Sequence, residues 1–110
     1  MKTLESKLQI ECVKEFRKTY TKEIIFAVPN GGYRKGFGGE ILRREGVLSG
    51  VSDLIIISKN KVIFIEMKYG TNKQSPNQIT FQEKVESLGF KYYLCNSFDE
   101  FKQICKNELK

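Results

Sequence analysis

Between Leu4 and about Lys18, apolar residues recur at Leu4, Leu8, Cys12 and Phe16, joined by Val13, and most positions between them are polar or charged. That spacing predicts a helix with one buried stripe. Ile24 to Val28 is a short β-branched run closed by Pro29-Asn30-Gly31-Gly32, the pattern of a strand entering a turn. Seven of the nine glycines then fall between Gly31 and Gly50, beside Arg34, Lys35, Arg43 and Arg44. A mobile basic loop is expected there, with a helical turn at Glu40 to Arg44. Asp53 to Ser58 and Lys61 to Lys68 read as two strands separated by Lys59-Asn60, the length of a tight hairpin connection. Ser75-Pro76-Asn77-Gln78 opens a helix: Ser75 suits the N-cap, Pro76 the first helical position, and Gln78 completes a capping box. Phe81, Val85 and Leu88 form its apolar face and Gly89 ends it. Phe90 to Cys95 is a further strand. Ser97 and Glu100 make a second capping box before an amphipathic last helix carrying Phe98, Phe101, Ile104, Cys105 and Leu109. The predicted order is α-β-β-β-α-β-α, a mixed α/β domain with a central sheet flanked by helices.

At 110 residues, 40% of them apolar, the chain suffices for one small domain that buries roughly 65% of its unfolded surface. Disorder is not expected. Nineteen basic against thirteen acidic residues leave a charge of +6, suited to a polyanionic partner. The sequence has no histidine, which excludes Ser-His-Asp and Cys-His nucleophiles and histidine-ligated zinc. Catalysis would have to run on carboxylates, lysine or a bound metal. Cys12, Cys95 and Cys105 are odd in number and widely spaced, which draws neither a disulfide framework nor a zinc knuckle and points to a reducing cytosol. The longest apolar runs, Leu54 to Ile57 and Val62 to Ile65, are far short of a membrane span, and Glu5 interrupts the place of a signal peptide's apolar stretch. A cytoplasmic location without membrane insertion is expected.

The hairpin carries the chemistry. With Lys59 and Asn60 as its loop, paired residue numbers sum to 119, so Ser58 faces Lys61 and Asp53 faces Glu66. Directly opposed residues have Cβ atoms about 5 Å apart, and two full charges at that distance repel by about 3 kcal/mol at an effective dielectric of about 20. Strand propensity, with a range of about 1 kcal/mol, cannot offset this. A cation, a raised carboxyl pKa, or Lys68 buried between the acids must compensate. Mg²⁺ fits best, since it takes one or two carboxylates and completes its shell with water and substrate phosphate. A three-residue loop would instead make the two acids diagonal neighbours.

Alternation places Phe64, Glu66 and Lys68 on one face of the second strand and Ile63, Ile65 and Met67 on the other. A metal ligand with an ammonium beside it could orient or deprotonate a water and stabilise charge developing on a phosphate. The string acid-x-Lys recurs at Glu5, Glu66, Glu100 and Glu108, so its context decides. Only Glu66-Met67-Lys68 ends an apolar strand with an acid predicted across from it.

Five ordered motifs resemble the VRR-NUC (virus-type replication-repair nuclease) domain, a branch of the PD-(D/E)xK nuclease superfamily. They are Glu5-x-x-Leu8-Gln9, Pro29-Asn30-Gly31-Gly32-x-Arg34, Gly46-Val47-x-x-Gly50-Val51-x-Asp53-Leu54, Phe64-Ile65-Glu66-x-Lys68, and Gln78 before Gly89. The resemblance runs from about Glu5 to Phe101. It implies a restriction-endonuclease-like fold with a mixed sheet, Asp53 and Glu66 as metal ligands, Lys68 as catalytic lysine, Glu5 as a helix carboxylate near the metal, and Gln78 as an auxiliary active-site residue. It also implies a Mg²⁺- or Mn²⁺-dependent nuclease for branched or flapped DNA; the short stand-alone forms tend to be homodimers acting on Holliday-junction-like substrates. Ser52 departs from the superfamily pattern, where proline usually precedes the aspartate, which bears on the loop conformation more than on the ligands.

Competing assignments accompany several of these residues. Glu5 is equally an exposed helix charge, with Glu11 and Glu15 as rivals on the same helix, and Gln78 is equally a capping residue. The stretch Gly36-Phe37-Gly38-Gly39 lacks both the third glycine of a dinucleotide fingerprint and the ending of a P-loop, so no nucleotide cofactor is expected. Arg34, Lys35, Arg43 and Arg44 are candidate phosphate contacts. The expected function is a Mg²⁺-dependent endodeoxyribonuclease, RNA being an alternative substrate for the same chemistry. The alternative from another class is a non-catalytic DNA-binding module in which Tyr33, Phe37, Tyr92 and Tyr93 supply stacking.

Overall fold

A computed structural model describes residues 3–29 and 37–109. The elements are α1 (Leu4–Thr19), β1 (Ile24–Ala27), α2 (Phe37–Arg44), β2 (Leu54–Ser58), β3 (Lys61–Met67), α3 (Pro76–Ser87), β4 (Lys91–Cys95) and α4 (Phe98–Glu108). The four strands form one sheet in the order β1-β2-β3-β4. β1 pairs antiparallel with β2 and β2 antiparallel with β3, and β4 pairs parallel to β3 after the crossover through α3.

The predicted order lacks α2. Where one helical turn in a basic loop was expected, two turns form over residues 37–44. Gly38 and Gly39 have poor helix propensity and hide the element. Its exit is well capped: Gly46 takes φ +108, the Val47 N–H donates to the Leu42 carbonyl at 2.9 Å and the Gly46 N–H to that of Arg43 at 3.0 Å. Pro29 is the last described residue before α2, so Arg34, Lys35 and most of the predicted Gly-rich turn lie outside the described residues.

The hairpin register is the expected one. Ser58 pairs with Lys61 and Leu54 with Ile65, with Asn60 accepting a left-handed φ of 60 in the loop. One face of the sheet packs on α1 and α4. Leu8, Cys12 and Phe16 from α1 and Phe101, Ile104 and Cys105 from α4 bury Ile25, Leu54, Ile56, Ile63, Ile65, Met67 and Cys95. Each fully buried isoleucine there contributes about 1.5–3 kcal/mol. All three cysteines are free and lie in this core. On the other face α3 covers β3 and β4 through aromatic contacts, Phe64 with Phe81 at 5.6 Å and Phe81 with Tyr92 at 6.2 Å between ring centroids. Among the described residues no helix is long and apolar enough to cross a membrane.

Candidate active site

The β2–β3 ladder ends at Leu54 and Ile65, and one step further lie Asp53 and Glu66. The Asp53 side chain continues the ladder where its backbone cannot: Oδ2 accepts the Met67 N–H at 2.7 Å. Its carbonyl meanwhile accepts the Val28 N–H at 2.9 Å, tying the approach to β2 to the end of β1. Ser52, where the resemblance led us to expect proline, is fully buried and its hydroxyl donates to the Leu54 carbonyl at 3.2 Å. A local side-chain bond thereby shapes the turn.

Glu66 is only 1% exposed, yet both of its carboxylate oxygens have partners. Its Oε2 accepts Gln78 Nε2 at 2.7 Å and lies 3.8 Å from Lys68 Nζ; its Oε1 accepts the Tyr92 hydroxyl at 3.2 Å. The Asp53 and Glu66 carboxyl groups share a hydrogen bond. Burial first, and the Asp53 charge second, push the Glu66 carboxyl up to about 8, against the pull of Lys68. Burial also raises Asp53, opposed by the Met67 N–H, with the negative charge of Glu5 adding to the rise. Of the three compensations considered for the opposed acids, a raised carboxyl pKa and a lysine beside them are therefore both present.

Gln78 serves the helix and the site at once. Its Oε1 accepts the Ser75 N–H at 2.8 Å, closing the capping box of α3, and also accepts Lys68 Nζ at 3.0 Å. The capping and auxiliary assignments are thus one geometry. Glu5 faces the loop that follows β3, where Oε2 accepts the Tyr69 N–H at 3.3 Å and Asn72 Nδ2. Glu15, a rival on the same helix, pairs instead with Thr19 and Lys18. A cavity of about 420 Å³ opens beside Lys68, lined also by Asn72, Lys73, Gln74, Leu94 and Asn96. Arg43 and Arg44 are exposed on α2, Arg43 paired with Glu40.

Two of the four aromatics considered for stacking turn inward. Tyr92 is buried against Glu66, and Tyr93 is bonded to Glu108 on the opposite face of β4. Tyr33 and the side chain of Phe37 lie outside the described residues. Sequence reasoning missed Tyr92 and Gln74 as neighbours of the acidic pair. The run Lys91-Tyr92-Tyr93-Leu94-Cys95 has no polar alternation to orient it.

Among the described residues no three His, Cys, Asp or Glu side chains gather as a ready-made metal cage. Asp53 and Glu66 supply two carboxylates, the number that Mg²⁺ takes from a protein when waters and phosphate complete its octahedron. The donor set therefore fits that ion.

The family model described as the VRR-NUC domain matches residues 5–99. A solved structure described as a VRR_NUC domain superposes with a TM-score of 0.70 at 18% identity, covering 97% of this chain and 99% of the other. A second, a VRR_NUC domain protein, gives 0.78 at 20% identity, covering 99% and 91%. Both carry the restriction-endonuclease-like fold. No curated protein matches this chain.

Proposed function

This chain belongs to the VRR-NUC domain family of nuclease-type modules, and on that premise we propose that it is a metal-dependent endonuclease hydrolysing phosphodiester bonds in branched, Holliday-junction-like DNA. One observation carries the reading: Asp53 and Glu66 are held together at the open end of the β2–β3 ladder, with Lys68 and Gln78 against the buried member of the pair. In this reading Asp53 and Glu66 hold Mg²⁺ or Mn²⁺, with Glu5 contributing from α1. When bound, the ion supplies a Lewis acid that polarises the phosphate and acidifies water.

The chain's own groups do the rest. Lys68, pinned by Gln78, orients the attacking water and offsets the charge growing on the phosphate oxygens. Gln78 keeps the carboxylate of Glu66 and the ammonium of Lys68 in fixed relation. Arg34, Lys35, Arg43 and Arg44 hold flanking phosphates in the same proposal. Two copies would place paired cuts across a four-way junction; exposed Ile24, Phe26 and Ile57, on the face of β1 and β2 turned away from the core, support a homodimer. The three free, buried cysteines suit a reducing cytoplasm.

Synthetic junctions incubated with Mg²⁺ test the proposal. Asp53→Ala, Glu66→Ala and Lys68→Ala should each abolish cutting while leaving binding, measured in Ca²⁺, near wild type. Three variants cutting at the wild-type rate would refute the site. A wild-type protein that binds junctions with a steep salt dependence and cuts nothing in Mg²⁺ or Mn²⁺ would establish the DNA-binding module instead.

A further inference from the structure

Glu66 is approached from β4 as well as from β3 and α3. The Tyr92 hydroxyl donates to Glu66 Oε1 at 3.2 Å, and the Tyr92 hydroxyl oxygen itself accepts from Gln74 Nε2 at 3.4 Å. Gln74 Nε2 also donates to Gln82 Oε1 at 2.9 Å, and Gln82 in turn donates to Glu86 at 3.2 Å. The direction of this chain is set by chemistry. An amide nitrogen can only donate, so the Tyr92 oxygen must accept from Gln74 and direct its single proton elsewhere. The Glu66 carboxylate is the acceptor it meets.

The two oxygens of Glu66 are therefore fixed from opposite sides, Oε2 by Gln78 and Oε1 by Tyr92. Each carboxylate oxygen has two acceptor directions, so these two bonds leave further capacity on the carboxyl group, part of it used in the hydrogen bond shared with Asp53. We propose that Tyr92, oriented by Gln74, is a positioning residue that holds Glu66 in the rotamer required to bind the divalent cation. The inference rests on the metal-dependent reading above and extends it to two residues outside the nuclease motifs. Outer partners that orient a ligating carboxylate commonly change metal affinity 10–100-fold when removed, by about that factor. Tyr92 stands over Phe81 at 6.2 Å between ring centroids, and a phenylalanine would keep that contact.

Mn²⁺ binding to the purified protein, by titration calorimetry and by the electron paramagnetic resonance of free Mn²⁺, separates positioning from packing. Tyr92→Phe should bind Mn²⁺ about tenfold more weakly, with junction kcat reduced and KM for DNA unchanged. Gln74→Ala should weaken binding in the same direction, and the double variant should be no worse than Tyr92→Phe alone, as for two links of one chain. Tyr93→Phe, which removes the neighbouring hydroxyl on the other face of β4, should leave Mn²⁺ affinity unchanged. Wild-type affinity in both Tyr92→Phe and Gln74→Ala would overturn the proposal. Absence of Mn²⁺ binding by the wild type would overturn the metal reading instead. The ¹³C shift of the Glu66 carboxyl carbon then decides the contact: a shift altered by Tyr92→Phe sustains the positioning bond, and an unaltered one refutes it.

Discussion

Gly50 lies so close to Asn77 that a Cβ on the glycine would sit 2.4 Å from the Asn77 carbonyl oxygen and 2.9 Å from the Gln78 nitrogen. The segment entering β2 is thereby seated directly on the first turn of α3. Asn77 Nδ2 adds a bond to Ser49 Oγ at 2.9 Å across the same junction. This contact brings the segment that carries Asp53 to the turn that carries Gln78.

Gly50→Ala combines this clash with a φ of +88 and should cost about 2–5 kcal/mol. A lowered urea midpoint would measure it. Junction cutting by the fraction that remains folded should also fall, because Gln78 is displaced from Glu66 and Lys68. Unchanged stability would mean that the two segments part easily.

The raised Glu66 carboxyl makes the metal-free fold sensitive to alkali. A folded-state value of about 8 against an ordinary 4.5 means that the folded protein retains a proton the unfolded chain releases. The resulting stability is complete below pH 4.5 and is lost as pH rises through about 8. The loss is about 5 kcal/mol at most. Urea midpoints measured without metal should fall between pH 6 and pH 9 in the wild type and stay nearly level in Glu66→Gln, and Mg²⁺ should restore the wild type at the alkaline end.

Gln78→Ala removes half of a capping box and leaves the Ser75 N–H, Lys68 and Glu66 each short of a partner. Stability should fall by about 1 kcal/mol, and cutting by about 10–100-fold if Lys68 needs its anchor. A variant with the stability loss alone would confine Gln78 to the helix terminus.

Far from the acidic pair, Glu108 accepts the Tyr93 hydroxyl and Lys61 Nζ, linking α4 to β3 and β4. The Tyr93 hydroxyl, and then Lys61, hold the Glu108 carboxyl below its ordinary value. That stabilisation is present above the unfolded value and disappears as pH falls. Tyr93→Phe should therefore cost about 1 kcal/mol at neutral pH and much less at pH 3, with cutting unaffected.

The hairpin was readable because a two-residue loop fixes every pair across it, and the opposition of Asp53 and Glu66 follows by counting. The helix starts at Ser75 and Ser97 were readable from their capping residues, since that chemistry is local. The box is complete at Ser75, whereas at the second start Ser97 caps the Glu100 N–H and the Glu100 side chain accepts the Asn96 N–H in place of the Ser97 N–H. Helix α2 was hidden by Gly38 and Gly39, whose weak propensity is overcome by a well-made C-terminal cap. The inward turn of Tyr92 was hidden for a different reason. It depends on which face of a parallel strand α3 covers, and parallel pairing is set by a crossover that strand composition does not encode. Gln74 sits in a loop, where no periodicity says what a side chain will meet.

The three thiols sealed in the sheet's main core have a practical corollary. Burial pushes Cys12 and Cys105 up to about 12 and Cys95 up to about 11, so the native protein presents almost no thiolate to an alkylating reagent. Labelling must wait for the layers to separate, and its rate becomes an internal clock for that opening, readable by mass spectrometry without introducing any probe.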